Sequence, residues 1–265
     1  GYRTVAPKPY LLRADVRARR RGFGPAIEDL DRVLALDPGS DWARLRKAQV
    51  RLSMGDRAGA AAEFASLAER QPETALGRLA KGTTRLLERK FAEAVTEFDA
   101  AIALAPFEQL RGFLLMQKGE ALLALGRFDE SARCALEAQG VSPWDAEPHA
   151  LRSWALYMKG NQKDALSEAE KAISMDASCA MAHLIKGQVL VGSMRSKEAL
   201  AEFDAAVGDP TYEAEARFCR GYLRHQAGAW PGAVEDLSRY VELRPNDPGA
   251  AEARRLLDDA RKRLR

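Results

Sequence analysis

The sequence predicts an all-α fold, a solenoid of antiparallel helical hairpins, on three observations. Pro38, Pro72 and Pro106 stand 34 residues apart, and an internal period of that length marks stacked repeat units. Small residues keep the same spacing upstream: Ala26, Ala60 and Ala94, and before them Ala14, Ala48 and Gly82. Each period holds two apolar-periodic segments of about 12–14 residues, a usual helix length. One hairpin cannot bury both of its faces, so the units must stack.

In chain order, a short N-terminal arm (1–6) precedes a first unit over 7–40, which closes on "DRVLALDP". The second, 41–74, turns at "MGDR" and closes on "ASLAERQP"; the third, 75–108, closes on "AAIALAP". A three-residue register change follows Pro106, within "FEQLRG" (107–112). It predicts a local irregularity, either a helix lengthened by nearly one turn or a looser joint. The period then resumes through Gly119, Ser153, Gly187 and Gly221, with Ser131, Ala165, Ala199 and Ala233 twelve residues behind each. This sets units over 112–145, 146–179, 180–213 and 214–247. Pro143 and Pro245 close the fourth and seventh; the fifth and sixth carry Ala177 and Thr211 at that place. Glycines in "MGDR", "LGRF" and "KGNQ" suit helix C-termini that need a left-handed residue, and proline between units ends a helix for want of a donor. The last stretch, 248–265, reads as a lone capping helix whose Leu256, Leu257, Ala260 and Leu264 cover the final hairpin.

The small residues on the two helices of a unit let their backbones approach. Val33, Leu67, Ala101, Ala138, Ala172, Ala206 and Tyr240 stand five residues before the closing position, and Leu30, Phe64, Phe98, Phe203 and Leu237 fill the seam. Burying each of these larger side chains contributes roughly 1.5–3 kcal/mol. The small–small–aromatic–small–proline pattern of "KGTTRLLERKFAEAVTEFDAAIALAP" (81–106) resembles the tetratricopeptide repeat, and seven units share its register across 7–247. Two departures stand out: the closing prolines missing from units five and six, and the replacement of the usual first-helix aromatic by Arg17, Arg51, Arg85 and Arg224 or by Leu122, Leu156 and Leu190. The arginines predict a wetter helix face.

The resemblance implies a right-handed superhelix whose first helices line a concave groove. The groove positions it implies are Asp15 and Ala18, Gln49 and Leu52, Thr83 and Leu86, Glu120 and Leu123, Trp154 and Tyr157, Gln188 and Val191, and Tyr222 and His225. The groove thus turns from small and polar to aromatic. The candidate peptide-binding residues are Glu120, Trp154, Tyr157, Met158, Gln188, Tyr222 and His225. In "SWALYMKG" (153–160), Ser153 is the packing residue, while Trp154 and Tyr157 either pack between neighbouring first helices or stay partly exposed as a site. One subfamily grips peptide C-termini with Lys and Asn in the groove; here the Lys position holds Leu11, Leu45, Leu79, Met116, Ala150, Leu184 and Phe218, and no Asn follows a small residue.

A charge ladder accompanies the repeats. Arg13, Lys47, Lys81, Lys118, Arg152, Lys186 and Arg220 each precede the first small residue, and Asp29, Glu63, Glu97, Glu168, Glu202 and Asp236 follow the second by three. Because the helices are antiparallel, the two series predict ion pairs within or between units. The other reading is a basic stripe for an acidic ligand. Cys134 takes the acid's place in unit four, which leaves Lys118 without that partner.

Composition narrows the function. Apolar residues make up 46% and charged residues 30%, as in soluble folded chains. No apolar run reaches the roughly 18–20 residues of a membrane helix, so no membrane insertion is expected. No secretion signal or disulfide spacing is visible, which favours a cytoplasmic location. Cys134, Cys179 and Cys219 read as buried thiols. A net charge of +3 is too mild to imply nucleic acid. No nucleotide loop, zinc-hydrolase or nucleophile-elbow motif occurs, so no cofactor and no enzyme chemistry are expected. His149 and His183 occupy equivalent places in adjacent units, but no third metal ligand recurs with them. The reading is a non-enzymatic scaffold or adaptor that binds a protein or peptide ligand, a peptide or partner helix, in its concave groove. Two alternatives are the regulatory arm of a larger enzyme, with which an opening Gly1 is compatible, and a self-assembling homo-oligomer.

Overall fold

A computed structural model describes residues 8–20 and 22–265, without the side chain of Arg19. The arm expected over 1–6 lies outside the described residues. Among these residues are fifteen helices and no strand, in two compact units that divide between Leu125 and Gly126.

The first unit holds α1 (Lys8–Arg19), α2 (Phe23–Leu36), α3 (Asp41–Ser53), α4 (Arg57–Arg70), α5 (Ala75–Leu87), α6 (Phe91–Ala103) and α7 (Glu108–Ala124). Each helix packs on the next in chain order. The second unit holds α8 (Phe128–Val141), α9 (Ala146–Met158), α10 (Gln162–Met175), α11 (Ala180–Gly192), α12 (Ser196–Ala206), α13 (Glu213–Gln226), α14 (Trp230–Leu243) and α15 (Ala250–Arg263). There too successive helices pack, and the first helices α9, α11, α13 and α15 also touch one another in sequence. The register change resolves as a longer helix: α7 has 17 residues, against 13 in α3, α5 and α9.

The small residues act as expected. A Cβ on Gly82 would stand 2.5 Å from the Phe98 ring, and one on Gly187 would stand 2.5 Å from Phe203. Both rings are fully buried, as are Leu30, Phe64 and Leu237. Ser153 uses its place differently: its buried Oγ donates to the Ala165 carbonyl at 2.7 Å, tying α9 to α10 by a hydrogen bond.

From the second hairpin onward, one left-handed residue makes the turn. Gly55, Gly126, Gly160 and Gly228 serve with φ of 71° to 82°. Arg89 (φ 61°) and Met194 (φ 58°) fill the same place despite their Cβ atoms, a strain of roughly 1–2 kcal/mol each. Between hairpins, Oδ1 of Asp37, Asp176, Asp209 and Asp247 accepts the backbone N–H two residues on, at 2.8–3.0 Å. These aspartate turns hold the joints at Ala177 and Thr211, where proline is missing. In α15, Leu256, Leu257 and Ala260 are buried, but Leu264 lies past the last helical residue and is exposed. It does not cover the final hairpin.

One hairpin, α11/α12, separates the two backbone effects. Gly187→Ala drives a methyl into the Phe203 ring and should destabilise by about 1–3 kcal/mol. Met194→Gly relieves the turn, and because Met194 is 92% exposed nothing is lost in packing, so it should stabilise by roughly 1 kcal/mol. Denaturant melts of the two variants should shift in opposite directions; a shared direction would refute this account of the hairpin.

Candidate binding surface

The charge ladder decides whether a basic stripe is open to ligands. Arg13 reaches Asp29 at 2.5 Å, Lys47 reaches Glu63 at 2.8 Å, Arg152 reaches Glu168 at 3.4 Å, Lys186 reaches Glu202 at 2.8 Å, and Arg220 reaches Asp236 at 2.5 Å. Lys81 departs from the expected pairing: its Nζ donates to the Pro72 carbonyl at 3.0 Å, and Arg78 takes Glu97 at 3.1 Å. Lys118 pairs with Asp99 at 2.6 Å. Asp99 stands two residues beyond the ladder acid of the preceding hairpin. In the same way Lys47 also meets Asp31 at 2.9 Å, and Arg220 meets Asp204 at 2.5 Å.

Two further positions on the first helix join the ladder, four before and three after the small residue. These lie on the same helix face as the base one before it. From the earlier position His149 Nδ1 sits 2.7 Å from Glu168, His183 Nδ1 sits 2.6 Å from Glu202, and Arg217 reaches Asp236 at 3.2 Å. The two histidines are therefore ladder members rather than apolar packing. From the later position Arg17 reaches Asp29 and Arg224 reaches Asp236, each at 2.8 Å. The mid-helix arginines turn towards their own hairpin's acids while their side chains stay 26–39% exposed. Asp236, fully buried, thus accepts from three guanidinium groups, and apart from Lys81 the basic stripe is engaged by acids of the chain itself.

Six of the seven candidate groove residues belong to the second unit; Glu120 is exposed on α7 of the first. Trp154 and Tyr157 are half-buried on α9 against Ile185 and Val189 of α11 and Ala165 of α10. The Trp154 ring meets Tyr212 edge-on, with centroids 6.4 Å apart. Gln188 Nε2 donates to Cys219 Sγ at 3.8 Å, and burial with the nearby Cys219 pushes the Tyr157 phenol above its usual range. Tyr222 is half-buried, and its hydroxyl accepts from Gln226 at 2.9 Å. His225 is tied to the cap: Nε2 lies 2.9 Å from Asp259 of α15, and the ring stands edge-on to Trp230. Met158 is exposed.

The face thus runs from Trp154 and Tyr157 over Gln188 and Cys219 to Tyr222, with rings that pack by one side and meet solvent by the other. Tyr212 and Cys219 were not among the expected residues; Tyr212 lies in a joint, outside the periodic register. At the other groove positions Thr83 is buried and donates to the Leu79 carbonyl at 2.9 Å, so it does not line a groove. Asp15 pairs with Arg46 at 3.5 Å. Burial pushes the Cys179 and Cys219 thiols up to about 11, away from nucleophilic character.

Family models described as Tetratricopeptide repeat match residues 23–82 and, in three overlapping stretches, 116–178, 154–213 and 184–248. The chain belongs to the tetratricopeptide repeat family. The array resembles a chain of the APC/C hetero-tetramer Cut9-Hcn1, with a TM-score of 0.81 at 17% identity over 95% of this chain and 48% of that one. It also resembles a tetratricopeptide repeat protein of Parabacteroides merdae (TM-score 0.63, 11% identity, 95% and 98% covered). Of curated proteins, ETO1-like protein 2 of Arabidopsis thaliana is 23% identical over 64% of this chain and 20% of its own length. The tetratricopeptide repeat and J domain-containing co-chaperone DNJ1 of Fusarium oxysporum is 26% identical over 57% and 30%. The array spans less than a third of either. Among the described residues no helix is long and apolar enough to cross a membrane.

The ladder gives the array a pH signature. Burial works to raise Glu168 and Glu202, but His149, Lys171 and Arg152 around the first, and Lys186 and His183 around the second, hold both carboxyls below their ordinary value. Hydrogen bonding from Arg13 holds Asp29 down against burial. Depressed folded values mean stability that is full above the unfolded carboxylate values of roughly 4 and is lost as pH falls through the folded ones. Unfolding free energy should therefore hold near neutrality and drop below about pH 4, and Glu168→Gln should flatten that slope. A slope unchanged in Glu168→Gln would exclude this carboxylate as a contributor.

Proposed function

We propose that the array is a non-enzymatic interaction scaffold that holds a peptide or helix of a partner protein against the face of α9, α11 and α13. Membership of a family built for protein–protein interaction supports the general role. The single observation that carries the site is the row of half-buried aromatic and amide side chains, Trp154, Tyr157, Gln188 and Tyr222, with Met158 exposed at its edge. Such rings offer apolar area and a hydrogen-bonding tip at once, the mix enriched at binding surfaces. A basic stripe for acidic ligands is disfavoured because six of the seven ladder bases already meet carboxylates and Lys81 is held by the Pro72 carbonyl. The chemistry of the thiols and the absence of catalytic motifs in the sequence support the non-enzymatic part.

A second reading, the regulatory arm of a longer protein, draws on the two curated relatives, each several times longer than the stretch matched. Under either reading the partner contacts the same face. Crosslinking pull-down with wild type and with the Trp154→Ala/Tyr157→Ala double variant tests it. Loss of such anchors should weaken capture of the wild-type partner by about tenfold or more. Equal capture by a double variant whose melt shows it folded would remove this face from consideration.

A further inference from the structure

The joint between α10 and α11 lacks a closing proline, since Ala177 stands in its place, and a histidine reaches across it. His183 on α11 meets an acceptor with each ring nitrogen: Nδ1 lies 2.6 Å from Glu202 Oε2, and Nε2 lies 3.1 Å from the Ala177 carbonyl oxygen. The His183 and Glu202 side chains are both largely buried. A neutral imidazole has one N–H and one bare nitrogen, whereas the imidazolium donates from both. Carboxylate and carbonyl oxygens only accept, so a neutral ring serves one of them and turns a lone pair to the other. Burial works against the Glu202 anion, but Lys186 and His183 hold its carboxyl below the ordinary value.

The equivalent place in the second unit has the same clasp in another residue. Arg44, four before the small residue as His183 is, donates from Nη2 to the carbonyl of Pro38, at 3.0 Å. Pro38 closes the α2/α3 joint, and the six-residue spacing is that of His183 and Ala177. Both joints carry an aspartate turn as well, Asp37 accepting from the Gly39 N–H and Asp176 from the Ser178 N–H. Arginine stays charged throughout the pH range of folded proteins. Imidazole ordinarily changes charge between about pH 5 and 8, so the same contact made by histidine depends on a proton.

The charges around the ring are mainly negative. Glu202 faces it from α12. Asp176 faces it from the joint, its carboxyl held low by Ser178 hydrogen bonds with a smaller part from His183. At the start of α9, Asp145 and Glu147 act on the Cys179 thiol, about one helical turn before His183. Lys186, on the same helix, turns to Glu202 at 2.8 Å. Among the described residues no ion pair or hydrogen bond from α9, α10 or α13 reaches the ring.

We infer that His183 replaces the missing proline at the α10/α11 joint as a proton-dependent clasp: the imidazolium binds Glu202 and the Ala177 carbonyl together, and loss of the Nε2 proton to water frees the carbonyl and loosens the joint. Amide exchange followed by NMR on the full chain, from about pH 5 to about pH 9, tests it. Protection at Ser178 and Cys179, corrected for the intrinsic pH dependence of exchange, should fall about tenfold as the ring loses its second N–H, the scale of one charge-assisted hydrogen bond. The ring nitrogen resonances report that loss directly. Gly39 and Ser40, in the joint held by Arg44, should keep their protection over the same range. His183→Arg should keep Ser178 and Cys179 protected at the top of the range, and His183→Gln should leave them weakly protected throughout. Ala177→Pro should shrink the pH response, because the pyrrolidine ring restrains the joint without the clasp. Asp176 before it is already extended (φ −138°, ψ 101°), the conformation a residue preceding proline favours. Protection that stays constant across the range, a pH response that persists in His183→Arg, or a ring with a single N–H at both ends of the range would each overturn the inference. If His183→Gln fails to fold, the wild-type titration and His183→Arg decide.

Discussion

The close approach of two helix backbones at a residue with little or no side chain is the contact on which this array rests. Gly82 under Phe98 and Gly187 under Phe203 leave no room for even a methyl group. Once the ring is seated, the rotation of the first helix about its axis is set. Residues three or four apart share a face, so fixing one face assigns all the others. The line through His183 and Lys186 then meets Glu202 of its own hairpin, and the line through Trp154 and Tyr157 is left to the neighbouring first helix and to solvent.

The ladder builds on that alignment and adds selectivity to it. A carboxylate as deeply buried as Asp236 would be strongly unfavourable alone; three arginines make its position tenable. Buried ion pairs bring little net stability over a well-packed apolar core, because desolvation offsets the attraction. Their effect is on alternatives: a hairpin that slipped by one residue would leave such a carboxylate facing no cation. Exposed pairs outside the ladder, such as Arg195 with Glu198, are weak and local.

Much of the fold was legible because its determinants are local and repeat: glycine or alanine at the helix contact, aromatic or leucine opposite, glycine in the turn. The lengthened α7 could be read as one of two outcomes, since three extra residues amount to nearly a helical turn. Chemistry that varies along a fixed register was harder to see. The position four before the small residue is Tyr10, Arg44, Arg78, Leu115, His149, His183 or Arg217, and no single residue type announces it. Met194 and Arg89 hide left-handed turns because the strain they carry is tolerated. Thr83 left the groove because its hydroxyl bonds its own helix. Whether Trp154 is packed or open had no answer in sequence, since a ring that size does both.

The bases that reach backwards to the preceding hairpin have a consequence for how such arrays diversify. Lys47, Lys118 and Arg220 complete their coordination with Asp31, Asp99 and Asp204, whereas the equivalent places behind the second and fourth hairpins hold Ala65 and Leu136. Hairpins of one shape are therefore not freely interchangeable beads. Each carries half of an address that its upstream neighbour reads, so duplication or shuffling of units would join surfaces whose charges do not correspond. Order along the chain is written into the seams as well as into the peptide bond.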